Sequence, residues 1–286
     1  MLLSYLKIKY RLSFKEPYAA DVYPAFAIRS VLGKQLKEMA CALPEQTCPL
    51  CPLAPHCAYS QVFENPISRD NTILPGRNAM PHPYVLKTEQ GVGSSGNDLQ
   101  LQVVLMGDRS KLEPYVFEAL KRAGANGLFR QRVLFTVNRV EQKAFDMPLL
   151  KNEAEERRQP LKLVFTSPLR LKRFGSMISK PTLEDLVDSA TRRLELLCAA
   201  YGKKEGLHEM QIPAKTPCEY RTSWLDLNHY SGRQKRPMKL GGMIGSIRFK
   251  SVNPTVYQLF KNIENLHLGK NTSFGLGAFK AIDLMD

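Results

Sequence analysis

The sequence predicts an α+β protein that consists of two tandem units, each with the element order βαββαβ. Two observations lead to this prediction. Segments whose apolar side chains alternate with period two, as in half-buried strands, are interspersed with segments of helical apolar spacing. This series of elements occurs twice, before and after the charged segment Lys151–Gln159, which we interpret as a linker. Two such units in succession form a duplicated ferredoxin-like arrangement.

The first series extends over residues 1–150 and opens with an alternating strand, Leu2–Phe14, in which apolar and basic residues take turns. A helix is predicted over Ala25–Cys41 because its apolar residues form a stripe along one face. The other elements of this series are the cysteine-rich loop Cys41–Cys57, the mostly irregular segment Asn65–Gly96 with a short strand near Tyr84–Lys87, the strand Asp98–Met106, the helix Leu112–Ala123 ended by Gly124, and the strand Gln131–Arg139.

The second series extends over residues 160–286. Thr182 is expected to cap a helix because its hydroxyl can accept a hydrogen bond from a first-turn amide. Pro254 suits the start of another helix, where no amide hydrogen is needed. The predicted elements are the strand Leu161–Ser167, the helix Thr182–Ala200, the strand pair Cys218–His229 and Leu240–Ser251, the helix Pro254–Ile263, and the strand Gly275–Leu284.

The net positive charge of the chain indicates which kinds of partner it can bind. Its 286 residues include 41 Lys and Arg against 27 Asp and Glu, a net charge of +14. Such an excess favours nucleic acid or an anionic membrane surface. No run of 18 apolar residues occurs, so no membrane span is expected. The N-terminus alternates like a strand rather than a signal peptide, which predicts a cytoplasmic protein with reduced cysteines.

A one-sided basic segment near the C-terminus contains a glycine-rich loop. Between Leu227 and Ile282 there is one acidic residue, Glu264, against nine Lys and Arg. Within it lies the loop Gly269–Gly277, whose glycines allow close backbone approach to a ligand. Lys270 inside this loop supplies a cation for phosphate. The segment therefore predicts a surface for polyanions.

Several motifs resemble those of the CRISPR precursor-RNA-processing endoribonucleases of the RAMP (repeat-associated mysterious protein) superfamily. The glycine loop matches the family's pattern except that His267 replaces its first glycine. Cys48–Cys51 and Tyr59–Pro66 also look like one branch of that family, which has a cysteine-rich N-terminal loop. The motifs in the C-terminal half are Phe165–Arg170, Tyr230–Gln234, Gly241–Gly245 and Gly269–Gly277.

The resemblance implies metal-independent RNA cleavage, with no cofactor for catalysis. A ribose 2′-hydroxyl would attack the adjacent phosphate, leaving a 2′,3′-cyclic phosphate. The substrate would be CRISPR repeat RNA, with a stem-loop, and the product would stay bound. The predicted RNA contacts are Arg170, Lys172, Arg173, Arg233, Lys235, Arg236, Lys239, Arg248, Lys250, Gly269, Lys270, Asn271, Thr272, Ser273, Gly275 and Gly277.

Such a reaction needs an acid or base and a cation at the phosphate. His229 is the first candidate for proton transfer because imidazole titrates near neutrality; the alternative is a surface histidine at a hairpin end. Tyr230 would stack on a base or hold the 2′-hydroxyl, or else pack on the sheet. The family's catalytic histidine often sits near the first helix, where this chain has none. Arg29 and Lys34 are the cations there, with a solvated helix face as the alternative.

Four cysteines form a separate motif. Cys41, Cys48, Cys51 and Cys57 have the spacing C-x6-C-x2-C-x5-C. Four thiolates so close in a cytosolic chain suit a structural zinc ion or, as the alternative, an iron–sulfur cluster. The other interpretation is a loop of reduced cysteines pinned by prolines.

Two functions from different classes follow. The first is an endoribonuclease that cuts CRISPR repeat RNA to mature guide RNA. The alternative is a non-catalytic RNA-binding subunit that caps the guide RNA within a CRISPR effector complex, together with other subunits. The absence of a first-helix histidine favours the subunit, and His229 favours the enzyme. A zinc-dependent DNA-binding regulator is a third interpretation, but no helix-turn-helix pattern supports it.

Overall fold

The computed structural model describes residues 2–67, 80–150, 158–203, 216–231 and 236–284. The chain divides into two compact units. We call N-terminal unit the part formed by Leu3–Asp146 and Ala199–Gly202. The C-terminal unit is the rest of the described chain. No helix among the described residues combines the length and the apolar character needed to cross a membrane.

The N-terminal unit has the predicted ferredoxin-like order of elements, βαββαβ. Its four-stranded sheet has the order β2-β3-β1-β4. Short helical turns at Cys48–Leu50, Ser60–Glu64 and Gly107–Leu112 lie in the connections. The main elements are β1 (Leu3–Ala19), α1 (Pro24–Ala40), β2 (Tyr84–Thr88), β3 (Ser95–Met106), α2 (Glu113–Asn126) and β4 (Phe135–Met147).

Apolar alternation and helical spacing explain these elements. Ile8 and Leu12 of β1 are fully buried, and Ile8 lies opposite Val103 of the antiparallel strand β3. The predicted helix end at Gly124 is wrong. Gly124 lies inside α2, where an added Cβ would meet the carbonyl oxygen of Phe135 at 2.1 Å, so it serves close packing. The helix instead extends to Asn126 and is followed by the capping residue Gly127, which has φ +78°.

The C-terminal unit repeats the ferredoxin-like order, so the predicted fold class is confirmed for both units. Its main sheet has the order β12-β5-β11-β8, and two small antiparallel ribbons, β6–β7 and β9–β10, stand beside it. The elements are β5 (Gln159–Leu169), β6 (Lys172–Arg173), β7 (Ser176–Met177), α3 (Leu183–Tyr201), β8 (Cys218–Leu225), β9 (Asn228–Ser231), β10 (Arg236–Lys239), β11 (Gly242–Val252), α4 (Pro254–Ile263) and β12 (Phe279–Asp283).

Helix starts in this unit follow local side-chain chemistry. The hydroxyl of Thr182 accepts a hydrogen bond from the amide of Asp185 at 3.2 Å, which confirms the predicted cap. Pro254 opens α4 as predicted, and the side chain of Asn253 accepts from the amide of Val256 at 2.8 Å. Both starts therefore satisfy amide hydrogens that have no partner within the helix.

Several predicted bounds need correction. The predicted strand Gln131–Arg139 is β4, Phe135–Met147, in the structure. The predicted strand Cys218–His229 is interrupted after Leu225, and the chain continues as the separate ribbon β9–β10. The last strand begins at Phe279 rather than Gly275, because Gly275 and Gly277 adopt φ of +85° and +71° and keep the chain in a loop. Gln159 belongs to β5 rather than to the linker, whose residues 151–157 lie outside the described residues.

Candidate nucleic-acid interface

The glycine-rich loop is folded onto the end of β5. The amide of Lys270 donates to the carbonyl oxygen of Arg170 at 2.9 Å, and the amide of Gly277 donates to that of Pro168 at 3.0 Å. The amide of Leu268 closes the base of the loop on Gly277 at 2.9 Å. These three amides therefore bond within the protein rather than to a ligand. Lys270 is exposed, so its ammonium group can reach a ligand, and the predicted RNA contacts of the loop remain a prediction.

His267 occupies the position of the family's first glycine, and the geometry shows why glycine suits it. Its φ is +59°, a backbone conformation that residues other than glycine rarely adopt. The side chain is 1% exposed, and Nδ1 lies 3.1 Å from the carbonyl oxygen of Leu276. His267 is therefore an interior residue that holds the loop closed.

Arg170 joins the glycine loop to the start of β11. Its Nε donates to Oδ1 of Asn271 at 3.1 Å, and its Nη1 donates to the carbonyl oxygen of Gly241. Partial burial lowers the pKa of the guanidinium, while the carboxylate of Asp226 acts in the opposite direction. Arg170 is a half-buried cation that orders the loop, and its direct contact with RNA remains a prediction.

The ribbon β9–β10 brings His229 to the glycine loop. The imidazole lies edge-on to the ring of Phe274, with 5.2 Å between centroids and an interplanar angle of 85°. His229 is half-buried and lies opposite Met238 in the ribbon. Tyr230 follows it on the strand, is 63% exposed and lies opposite Pro237. The residue predicted to transfer protons thus lies beside the loop predicted to bind phosphate.

The predicted cationic contacts differ in their surroundings. Arg173 donates from Nε to Oδ1 of Asp185 at 2.7 Å, and this hydrogen bond is the main cause that raises its pKa. Its charge is thus engaged within the protein. Arg233 and Lys235 lie outside the described residues. Within the described C-terminal unit, the exposed members of the set are Lys172, Arg173, Arg236, Lys239, Arg248, Lys250 and Lys270.

Arg29 and Lys34, the alternative catalytic cations, lie on α1 of the N-terminal unit. The guanidinium carbon of Arg29 is 5.3 Å from the ring centroid of Phe63, a cation–π arrangement. Phe63 in turn stacks on Tyr59 at 5.7 Å. Lys34 is an exposed residue whose Nζ lies 3.8 Å from Glu38. Arg29 therefore contacts an aromatic ring outside the helix, and Lys34 lies near an acidic residue of the same helix. The catalytic role of both cations remains a prediction.

The four cysteines line one cavity of about 170 Å³ that follows α1. Burial raises the pKa of the Cys48 thiol, and the nearby Glu64, Cys57 and Cys41 raise it further. Sγ of Cys57 lies 3.5 Å from the carbonyl oxygen of Ala40. Among the described residues, however, no group of three or more Cys, His, Asp or Glu side chains is arranged to hold a metal ion. The four thiols therefore line the same cavity but are not arranged around a single position that a metal ion could occupy.

Sequence reasoning missed Trp224 and Asp226. Indole Nε1 donates to Oδ1 of Asp226 at 2.9 Å, and Gly241 lies against both side chains. The sequence pattern predicts a strand at Trp224 but no functional role for its side chain. The available signal was the one tryptophan of the chain, placed two residues before an aspartate at the edge of the basic segment.

These features define a class of protein. It has two successive ferredoxin-like units, and the second unit carries a glycine-rich loop and a basic ribbon. Residues 163–279 match the family model of the CRISPR-associated endoribonuclease Cas6. Residues 3–162 match the AF_1859_N N-terminal domain. Residues 163–279 thus form a domain similar to the CRISPR-associated endoribonuclease Cas6. No curated protein matches it.

Solved structures share the fold along the whole chain. A Cas6 product complex is 17% identical, with a TM-score of 0.52, and the match covers 97% of this chain and 99% of the other. Thermus thermophilus Cas6 is 12% identical, with a TM-score of 0.52 and coverage of 99% and 100%. A partial Cas6-RT-Cas1–Cas2 complex is 11% identical, with a TM-score of 0.59, and the match covers 100% of this chain and 47% of that chain. At these identities the likeness concerns the fold.

Proposed function

We propose that this protein cuts CRISPR repeat RNA without a metal ion. A ribose 2′-hydroxyl attacks the adjacent phosphate, and the products are a 2′,3′-cyclic phosphate and a 5′-hydroxyl. The observation that carries the proposal is the contact of His229 with Phe274, which places an imidazole beside the glycine-rich loop. This reaction needs a side chain that transfers a proton, and that side chain must lie next to a site that holds the phosphate.

His229 is assigned the proton transfer. Its imidazole can take the proton of the 2′-hydroxyl, or give one to the departing 5′-oxygen, because histidine titrates near neutral pH. Tyr230 receives a different role. Successive strand residues point to opposite faces, so Tyr230 and His229 do not face the same phosphate. We assign Tyr230, with its exposed ring, to stacking on a base.

Positive charge at the reacting phosphate comes from the loop and its support. Lys270 offers an exposed ammonium group, and Arg170 holds the loop through Asn271. A cation stabilises the charge that develops on the phosphate oxygens during attack. The exposed cations of the ribbon, Arg236 and Lys239, add sequence-independent attraction that supports retention of the cut RNA.

Cleavage in EDTA tests the proposal. Purified protein is incubated with end-labelled repeat RNA, with and without EDTA. We expect cleavage to persist in EDTA, because the attacking nucleophile belongs to the RNA. A single 2′-deoxy substitution at the cut site should abolish it. A requirement for added Mg²⁺ would overturn the mechanism. Tight binding of the RNA without any cut would instead identify the non-catalytic RNA-binding subunit.

We propose separately that Cys41, Cys48, Cys51 and Cys57 bind one metal ion, with zinc ahead of an iron–sulfur cluster. Their common cavity supports this, although the thiols must draw together to share a ligand. Structural thiolate sites contribute directly to folding free energy. No catalytic step depends on this site.

Replacing Cys48 by serine is therefore expected to release the metal and to lower the melting temperature. Elemental analysis of anaerobically purified protein measures zinc, iron and sulfide. Cys218→Ser is the matched control, since Cys218 is a half-buried cysteine of the C-terminal unit. Metal-free wild-type protein, with equal melting temperatures for both variants, would contradict the proposal.

A further inference from the structure

We propose that Trp224 is a stacking platform for an unpaired base of the bound RNA. The inference rests on the proposed function and adds to it a contact beyond the ribbon and the glycine loop. The ligand chemistry is a single-stranded nucleobase next to a phosphate backbone. Stacking on an aromatic ring accepts any base, because every base presents a π-face.

The position of Trp224 in the sheet leaves the ring accessible. It lies on β8, which is an edge strand of the main sheet of the C-terminal unit, opposite Met243 of β11. The residue is 43% exposed. The phenylalanines of the same sheet, Phe165, Phe249 and Phe279, are at most 2% exposed. Trp224 is therefore not required as a core residue of this unit.

The polar edge of the indole is anchored. Its Nε1 donates to Oδ1 of Asp226 at 2.9 Å. A Cβ at Gly241 would lie 1.9 Å from that oxygen and 2.6 Å from Nε1, so only glycine leaves room for the pair. An aromatic ring held in one orientation loses little conformational entropy when a base stacks on it.

A series of contacts connects this ring with the predicted phosphate site. The carbonyl oxygen of Gly241 accepts from the guanidinium of Arg170. Arg170 in turn donates to Asn271, the neighbour of Lys270 in the glycine loop. Every step lies within the C-terminal unit. The indole is consequently linked to the loop through Gly241 and the Arg170 guanidinium.

A single base fits this surface better than a protein partner does. Contiguous exposed apolar patches of several hundred Å² often mark protein interfaces. The residues two positions away from Trp224 along the chain, on either side, are the polar Thr222 and Asp226. An exposed aromatic ring next to polar side chains can stack on a base of single-stranded RNA.

The chain offers a direct spectroscopic test because Trp224 is its one tryptophan. Its fluorescence is recorded during titration with a single-stranded oligoadenylate and, separately, with inorganic polyphosphate. Binding of fluorescently labelled RNA is measured independently by anisotropy. We expect the oligoadenylate to quench the indole and the polyphosphate to leave it nearly unchanged, because polyphosphate has charge but no bases.

Variants measure the contribution of the ring. Trp224→Ala should weaken RNA binding by roughly 5- to 100-fold, the usual value of one stacked base. Trp224→Phe should retain most of the affinity, since it keeps an aromatic face. Leu225→Ala is the matched control, because Leu225 is 38% exposed and points to the opposite face of the same strand. Circular dichroism checks that each variant is folded.

The outcomes separate this inference from the function on which it rests. If wild-type protein binds no RNA at all, both are overturned. If RNA binds but the indole is not quenched, or if Trp224→Ala binds as tightly as Leu225→Ala, only the stacking role is overturned. If Trp224→Ala does not fold, the quenching of the wild-type indole by oligoadenylate still decides. Quenching by polyphosphate equal to that by RNA also contradicts stacking.

Discussion

Replacing His229 by alanine is expected to lower the single-turnover cleavage rate by on the order of 10²-fold or more, with little change in RNA affinity. The imidazole contacts the ring of Phe274 in the glycine loop, so it lies where a scissile phosphate held by that loop would need a proton acceptor or donor. The rate under excess enzyme isolates the chemical step. The dissociation constant is measured on 2′-deoxy RNA, which binds without reacting.

Two further variants make this result interpretable. His229→Gln keeps a polar side chain of similar size but cannot transfer a proton at neutral pH, so it should be as slow as the alanine variant. Asn228→Ala is the control, because Asn228 is exposed and points to the other side of the ribbon. Cleavage by His229→Ala at the wild-type rate would contradict the assignment, and Arg29 and Lys34 would become the next residues to replace.

Gly277→Ala is expected to have the second large effect, on both stability and activity. Gly277 has φ +71°, and an added Cβ would lie 1.8 Å from the carbonyl oxygen of Leu268. The left-handed conformation alone costs about 1–2 kcal/mol for a residue with a side chain. The clash is with backbone, so it is relieved only if the loop base opens. We expect the free energy of unfolding to fall by more than about 2 kcal/mol, and cleavage to decline with it.

Gly175→Ala is the matched control for this experiment. Gly175 also has a positive φ, +83°, but an added Cβ there meets nothing within 4 Å. The control therefore measures the conformational cost without the clash. Urea unfolding of both variants, followed by circular dichroism, gives the comparison. Equal destabilisation by the two substitutions would show that the contact between Gly277 and Leu268 is not what closes the loop.

Local patterns were sufficient for the order of the helices and of the strands in the two main sheets, but not for the ribbons β6–β7 and β9–β10. Ile8 and Leu12 of β1 lie in the core because every second side chain of a strand points to the same face of the sheet. Thr182 and Pro254 marked helix starts because capping depends on the nearest amide groups. Element ends were less predictable. Gly124 was interpreted as a helix end, yet it is a packing position against Phe135, a residue that the helix meets only in the folded unit.

The sequence by itself determined the ferredoxin-like duplication, the basic character of the C-terminal segment and the identity of His229 as a candidate, since each depends on residue type and local spacing. Only the tertiary structure decided which groups meet. It brought His229 to Phe274, used Arg170 to hold the glycine loop, and fixed Trp224 against Asp226 and Gly241. Except for the pair Trp224 and Asp226, these contacts join residues far apart in the chain through sheet pairing and loop closure, and one local pattern is compatible with many such pairings.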